Sequence, residues 1–269
     1  MQSKVVVSET ECSSIISDSG LYGVDYSINP YVGCQHSCKY CYATFMKRFS
    51  EHEESWGKFV DVKVNARQVL VDDLMKKDKG SVLISSVTDP YQPIEEEYEL
   101  TRKILERLAN TKFSVNILTK SDLVTRDIDI LKEFQSDRIS VGFTINYLSE
   151  RDRDIWEPGA PEISERVSAL KEVSETGIDT YVHVGPYFPN ITNLDAILEE
   201  VGEYINEFQV ENLNFKENEK KIIETIKLDY PDSLKLYNNL KREDYEHRRN
   251  LKRIVDRLNS NVPINLFLD

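Results

Sequence analysis

Apolar, β-rich runs alternate along this chain with amphipathic helical stretches, and that rhythm admits few folds other than a mostly parallel sheet with helices packed on it. Candidate strands fall at residues 24–29, 81–87, 114–118, 139–144, 180–184 and 210–215, and 59–64 reads as an edge strand or hairpin arm. Helices are expected near 68–77, 97–109, 126–134, 164–176 and 194–208. Within 164–176, Val167, Leu170 and Val173 recur at helical spacing, and Gly177 stands where a C-terminal glycine stop belongs. Thr192 or Asn193 is placed to cap the next helix. Six βα units make an α/β fold, a partial (β/α)6 barrel of the TIM type, open on one side for a bulky substrate. Residues 1–23 read as an N-terminal segment, 24–215 as the barrel, and 216–269 as a helical extension packed on it, interrupted near Pro231.

Chemistry enters directly after the first candidate strand. Cys34, Cys38 and Cys41 lie in Asn29-Pro30-Tyr31-Val32-Gly33-Cys34-Gln35-His36-Ser37-Cys38-Lys39-Tyr40-Cys41-Tyr42-Ala43, a C-x3-C-x2-C spacing with an aromatic before the last cysteine. Three thiolates hold three corners of a [4Fe–4S] cube, whereas a purely electron-carrying cluster normally takes four. The open corner points to an enzyme. The competing reading is a non-enzymatic structural zinc module with His36 as fourth ligand, although zinc ligands usually come as two separated pairs. The remaining thiol, Cys12, sits in a polar segment and reads as a free cysteine.

Charge narrows the partners. With 34 basic against 47 acidic residues the chain carries a formal −13, which disfavours non-specific nucleic-acid binding. One local exception is 241–257, where seven Lys or Arg stand against four acids. Such a run is a solvated helix face or a docking surface for nucleic acid or an acidic partner. Clustered reduced thiols, no secretory leader pattern and no apolar run of membrane-spanning length place the expected location in the cytoplasm, away from the membrane.

The cysteine run resembles the signature of the radical SAM superfamily, with Tyr40 at its aromatic position. Four further stretches resemble the branch related to spore photoproduct lyase, often labelled DNA-repair photolyase-like. They are Ser86-Val87-Thr88-Asp89-Pro90-Tyr91-Gln92-Pro93, Leu118-Thr119-Lys120-Ser121, Glu157-Pro158-Gly159-Ala160-Pro161 and Gly185-Pro186-Tyr187-Phe188-Pro189. The resemblance implies a [4Fe–4S] cluster on the three cysteines. It also implies S-adenosylmethionine chelating the open iron and a 5′-deoxyadenosyl radical that abstracts hydrogen from a substrate the sequence does not name. An electron donor such as flavodoxin or ferredoxin is implied as well.

The same resemblance suggests roles for single residues. Tyr40 would lie along the adenine, and Thr88 and Asp89 would meet the methionine amino group and ribose. Lys120, and more weakly Arg166, would face the methionine carboxylate. Tyr42, Tyr91, Gln92 and His183 are the candidates for the substrate cavity. Spore photoproduct lyase carries a hydrogen-donating cysteine on the strand into its Thr/Ser-Asp turn. Here that stretch is Ser85-Ser86-Val87-Thr88, without a thiol. The resemblance therefore carries the chemistry class further than it carries DNA repair.

Overall fold

In the computed structural model, which describes residues 5–242 and 244–268, the chain builds two sheets. It opens with β1 (Val6–Thr10), then the antiparallel pair β2 (Ile16–Asp18) and β3 (Tyr26–Ile28), then the short β4 (Tyr31–Val32). The cysteine run and a 3-10 helix, Tyr42–Phe49, lead to β5 (Phe59–Lys63) and α1 (Ala66–Lys76). The barrel proper continues with β6 (Ser81–Ile84), α2 (Glu95–Tyr98), α3 (Leu100–Ala109), β7 (Ser114–Thr119), α4 (Ile128–Leu131) and β8 (Ile139–Thr144). Next come α5 (Glu150–Trp156), α6 (Ile163–Ser174), β9 (Asp179–Val184), α7 (Leu194–Val201) and β10 (Glu207–Glu211). The chain closes with α8 (Glu219–Asp229), α9 (Leu234–Leu240), α10 (Asp244–Val255) and β11 (Ile264–Phe267).

The larger sheet has the order β2-β3-β6-β7-β8-β9-β10-β11, parallel throughout except for β2. It is a partial barrel wrapped by helices. The six expected parallel strands are present, and β11 adds a seventh beside β10. That last strand lies in a stretch read from sequence as helical, because four residues are too few to show a period. The other described residues of the extension form three helices, with a short 3-10 turn at Pro231–Ser233. Residues 1–4, Glu243 and Asp269, which the expected segments included, lie outside the described residues.

Strand alternation sorts the barrel's two faces. Val82, Ile84, Val115, Ile117, Val141, Phe143, Val182, Val184, Phe208 and Val210 point outward and are buried against Ile104, Leu105, Leu131, Leu170, Val173 and Ile197 of the helices. Each such side chain contributes about 1.5–3 kcal/mol by leaving water. The inward face is polar, with Asn116, Tyr181, His183, Gln209 and Glu211 in matching register. Gly142 has no side chain because the Tyr181 ring fills the space where a Cβ would stand.

Local signals worked where the chain obeys them. Asn193 accepts from the Ala196 N–H to cap α7, and Gly177 turns at φ +82° after α6. The expected helix 97–109 is broken at Glu99, which takes φ +52°. Strand β10 starts three residues earlier than expected, since Glu207-Phe208-Gln209-Val210-Glu211 alternates and 212–215 does not. Among the described residues no helix is long and apolar enough to cross a membrane. In the basic stretch, Leu251 and Val255 of α10 face inward while Arg249, Lys252 and Arg253 are exposed.

Candidate active site

The smaller sheet, β1-β5-β4, delivers the cysteine loop to the rim formed by the carboxyl ends of the barrel strands. Gly33 starts the loop at φ +93°, and a Cβ there would collide with the Phe59 carbonyl. Four side-chain clamps then fasten it. The Thr88 hydroxyl donates to the Gly33 carbonyl (2.5 Å), and Gln92 Nε2 reaches the same oxygen (3.2 Å). Gln92 Oε1 accepts from Gln35 N–H (2.9 Å), and Gln35 Oε1 accepts from Ile94 N–H (2.7 Å). On the far side Lys39 N–H donates to Trp156 O (2.8 Å), and Asn218 Nδ2 donates to Cys41 O (2.5 Å). Gly159 packs so tightly on the loop that a side chain would strike Gln35 O.

Cys34 and Cys38 are each 7 % exposed, and Cys41 is half-buried. Burial, then the Asp89 charge and Cys41, pushes the Cys34 thiol up to about 12. Burial likewise raises Cys38 well above the ordinary thiol range and raises Cys41. Three soft donors held in one buried loop fit a cluster whose iron charge drives thiol deprotonation. Among the described residues no three His, Cys, Asp or Glu side chains converge closely enough for a single ion. A cluster with one iron at each thiolate needs no such convergence. His36 is buried in the same loop, with Nδ1 3.3 Å from Asp89 Oδ2 and, among the described residues, no hydrogen-bond partner at Nε2.

Asp89 is a fastener. It accepts from the Thr119 hydroxyl (2.7 Å), Lys120 N–H (2.8 Å) and Tyr91 N–H (2.9 Å). Burial alone would raise its carboxyl, but His36 and these donors outweigh that and hold it well below the usual carboxylate range. Thr88 and Asp89, expected to meet the methionine amino group and ribose, thus spend their polar atoms tying strand ends to the cysteine loop.

Tyr40 is fixed differently. Its phenol donates to Glu157 Oε1 and accepts from Asn146 Nδ2 (3.0 Å), while its ring stands edge-on to Phe188 at 5.6 Å. Arg166, expected at a cofactor carboxylate, is fully buried and committed elsewhere. It donates to Glu157 Oε2 (2.5 Å), Thr144 O (3.2 Å) and Pro161 O (2.9 Å). Burial would raise Glu157, but Arg166, Lys120 and the Tyr40 hydroxyl outweigh it and keep the carboxyl low.

Lys120 follows β7, with its ammonium 5.8 Å from the Tyr40 ring centre. Among the described residues its ammonium makes no hydrogen bond or ion pair. Burial pulls its pKa down, but the Cys38, Glu157 and Asp89 charges more than compensate and raise it. A charged donor therefore lies over the Tyr40 ring of the cysteine loop.

Of the four substrate candidates, two face the barrel mouth. Tyr42 is 51 % exposed, donates to Ser86 O, and is raised by burial, Cys41 and then Glu211. His183 faces inward against Gln209 and Glu211. Tyr91 and Gln92 do not face the mouth. The chain turns after Pro90, so Tyr91 is buried outside the strands beside Arg126 and Asp127, and Gln92 is a loop clamp. Just after β6, Ser85 takes φ +67° with a buried hydroxyl that has no hydrogen-bond partner among the described residues. Sequence reasoning missed Glu157, Asn146 and Glu211 as site residues. Glu157 lay inside a recognised stretch, and its position before Pro158 was the available signal.

A model of the radical SAM superfamily matches residues 28–201. An uncharacterized protein of Methanocaldococcus jannaschii, MJ0683, is 36 % identical over 241 residues, covering 89 % of each chain. Among solved structures, a spore photoproduct lyase point mutant superposes with a TM-score of 0.71 at 16 % identity, covering 98 % of this chain and 82 % of that one. Another lyase structure, carrying dinucleoside spore photoproduct, is matched over 66 % of its length. Streptococcus suis SuiB bound to S-adenosylmethionine gives a TM-score of 0.54 at 16 % identity, covering 89 % of this chain and 49 % of that one.

Proposed function

The chain belongs to the radical SAM superfamily, and from that premise we propose that it is an enzyme whose Cys34, Cys38 and Cys41 ligate a [4Fe–4S] cluster. Loaded, that cluster and S-adenosylmethionine supply a 5′-deoxyadenosyl radical that takes a hydrogen atom from the substrate. The observation carrying the residue assignment is the unspent Lys120 ammonium beside Tyr40 and the cysteine loop.

Lys120 neutralises the methionine carboxylate through a charge-assisted contact. Tyr40 would lie along the adenine, its ring kept at one angle by Glu157 and Asn146. Arg166 acts one step back, holding Glu157. Thr88, Asp89 and Gln92 keep the loop in register with the strand ends, so the three sulfurs are placed before any ligand arrives. Phe188, Trp156 and the helices α8 and α9 cover this end with apolar side chains and exclude water. Tyr42, Ser85 and His183 line the substrate side. A flavodoxin or ferredoxin supplies the electron, and the protein acts inside the cell.

Family membership replaces the zinc-module reading. A spore photoproduct lyase reaction is disfavoured, because Ser85 and Ser86 end β6 where a thiol would be needed. The remaining cysteine, Cys12, is bound to Asn65 through both its backbone and its thiol (2.9 and 3.4 Å). The test is anaerobic reconstitution with iron and sulfide, addition of S-adenosylmethionine and dithionite, and quantification of 5′-deoxyadenosine. Product formed by the wild type and lost with the cluster in Cys38→Ala is the expected result. An intact cluster that binds S-adenosylmethionine without cleaving it, with or without candidate substrates, refutes the proposal.

A further inference from the structure

The turn that enters β5 is built onto the cysteine loop. Lys58 N–H closes it on Ser55 O (3.0 Å), and Val6 N–H ties it to β1 through Lys58 O (2.9 Å). Gly57, at φ +90°, lies so close to the loop that a Cβ would strike the Ser37 side chain. Two residues on, the Phe59 carbonyl is the atom on which Gly33 packs. The turn therefore meets the loop on either side of Cys34, and it carries Trp56.

Trp56 is only 7 % exposed. Its ring stands edge-on to Phe59 (6.0 Å, 85°), and Phe59 stacks on His52 (4.4 Å). Cys34, Ala43 and Phe59 share its apolar cluster, with Cys41 and Met46 packed against it. A phenyl ring would serve such packing, whereas an indole also brings an N–H donor. That donor, Nε1, is buried and has no hydrogen-bond partner among the described residues. Buried donors are normally paired, and an orphaned one costs stability.

The group this N–H bears on is the Cys41 thiol. Burial raises that thiol, while the Ala43 backbone N–H, Lys120 and the Trp56 N–H each lower it. A thiol sulfur is a weak acceptor, and an ionised sulfur is a much stronger one. The thiolate is also the form that ligates iron. The Trp56 donor therefore gains its acceptor when Cys41 serves as a ligand.

We propose that the Trp56 indole N–H donates to the Cys41 sulfur of the loaded site and raises the reduction potential of the cluster. This rests on Cys34, Cys38 and Cys41 holding a [4Fe–4S] cluster. Reduction adds negative charge that spreads onto the ligating sulfurs. A donor at one of them stabilises the reduced form more than the oxidised form, and cluster potentials follow the hydrogen bonds to their sulfurs. Trp56 acts through Cys41 as a positioning residue, and it sets how readily an electron donor reduces the cluster.

The test is an EPR-monitored redox titration of anaerobically reconstituted protein without S-adenosylmethionine. Pulsed EPR of the reduced cluster is recorded on the same protein carrying 15N-indole tryptophan, a label confined to Trp56 and Trp156. The wild type should show a 15N hyperfine coupling. Trp56→Phe keeps an aromatic ring and removes the N–H, so it should lose the coupling at unchanged iron and sulfide content. At a fixed ambient potential its ratio of reduced to oxidised cluster should fall about tenfold, a shift of about 59 mV for one electron. A wild-type cluster without the coupling, a coupling that persists in Trp56→Phe, or an unchanged potential in that variant overturns the inference. If Trp56→Phe takes up no iron, Trp156→Phe, labelled at Trp56 alone, decides by the presence or absence of the same coupling. A wild type that binds no cluster overturns the cluster assignment as well, whereas failure with an intact cluster strikes the role of Trp56 alone.

Discussion

Tyr40 donates its phenolic hydrogen to Glu157, a residue 117 positions further along the chain, and the pair joins the cysteine loop to the end of α5. Glu157 in turn carries Arg166 on its other oxygen, so one carboxylate orients an aromatic ring and neutralises a buried guanidinium.

Glu157→Ala is therefore expected to be costly, because it strands Arg166 without a counter-charge. The loss should be about 3–5 kcal/mol, read from denaturant unfolding. Tyr40→Phe keeps the ring and removes one hydrogen bond, so it should cost only about 1–2 kcal/mol. That variant should retain cluster absorbance while its affinity for S-adenosylmethionine falls.

Lys120→Met removes the ammonium and preserves side-chain length. If Lys120 holds the methionine carboxylate, the affinity for S-adenosylmethionine should drop by about 2 kcal/mol, roughly thirtyfold in Kd. Isothermal titration on the reconstituted protein checks this, with the iron content unchanged. Loss of iron in this variant would assign Lys120 to the fold of the loop instead.

Gly33→Ala introduces a Cβ at φ +93° against the Phe59 carbonyl. Strain of about 1–3 kcal/mol would be relieved by shifting the cysteine loop. Lower iron and sulfide incorporation per chain, with far-ultraviolet circular dichroism unchanged, is the expected outcome.

Asp89 couples folding to pH. Its folded carboxyl is held below the unfolded value of about 3.9, so its contribution is full above roughly pH 4 and fades as pH falls through the folded value. Asp89→Asn should therefore lose about 3 kcal/mol at pH 7 and progressively less as the medium approaches pH 2. Unfolding midpoints of wild type and variant across that range should converge on the acid side.

Much of the barrel was legible because its determinants are local. The outward strand positions announce themselves by alternation, α6 by Val167, Leu170 and Val173, and the cysteine loop by three cysteines within eight residues. Lys120 draws notice in the sequence because it follows a readable strand within a recognisable triplet. Tyr91 and Gln92 were misjudged for a physical reason: the turn at Pro90 ends the strand period, so alternation no longer says where a side chain points.

What the sequence by itself determined is the order of strands and helices, the close spacing of three cysteines and the family of chemistry, since each is written in short-range spacing. Only the tertiary structure decided which polar groups are spent and which are free. Asp89, Thr88 and Arg166 look like ligand-binding residues in isolation, yet packing gives them internal partners, while among the described residues the Lys120 ammonium has no hydrogen bond or ion pair. On the inward barrel face Asn265 of β11 bonds Glu207 of β10, and His183 of β9 meets Gln209 and Glu211 of β10, so three strands contribute. Hydrogen bonds between side chains far apart in sequence depend on register and on gaps such as Gly185, and neither is encoded at a single position.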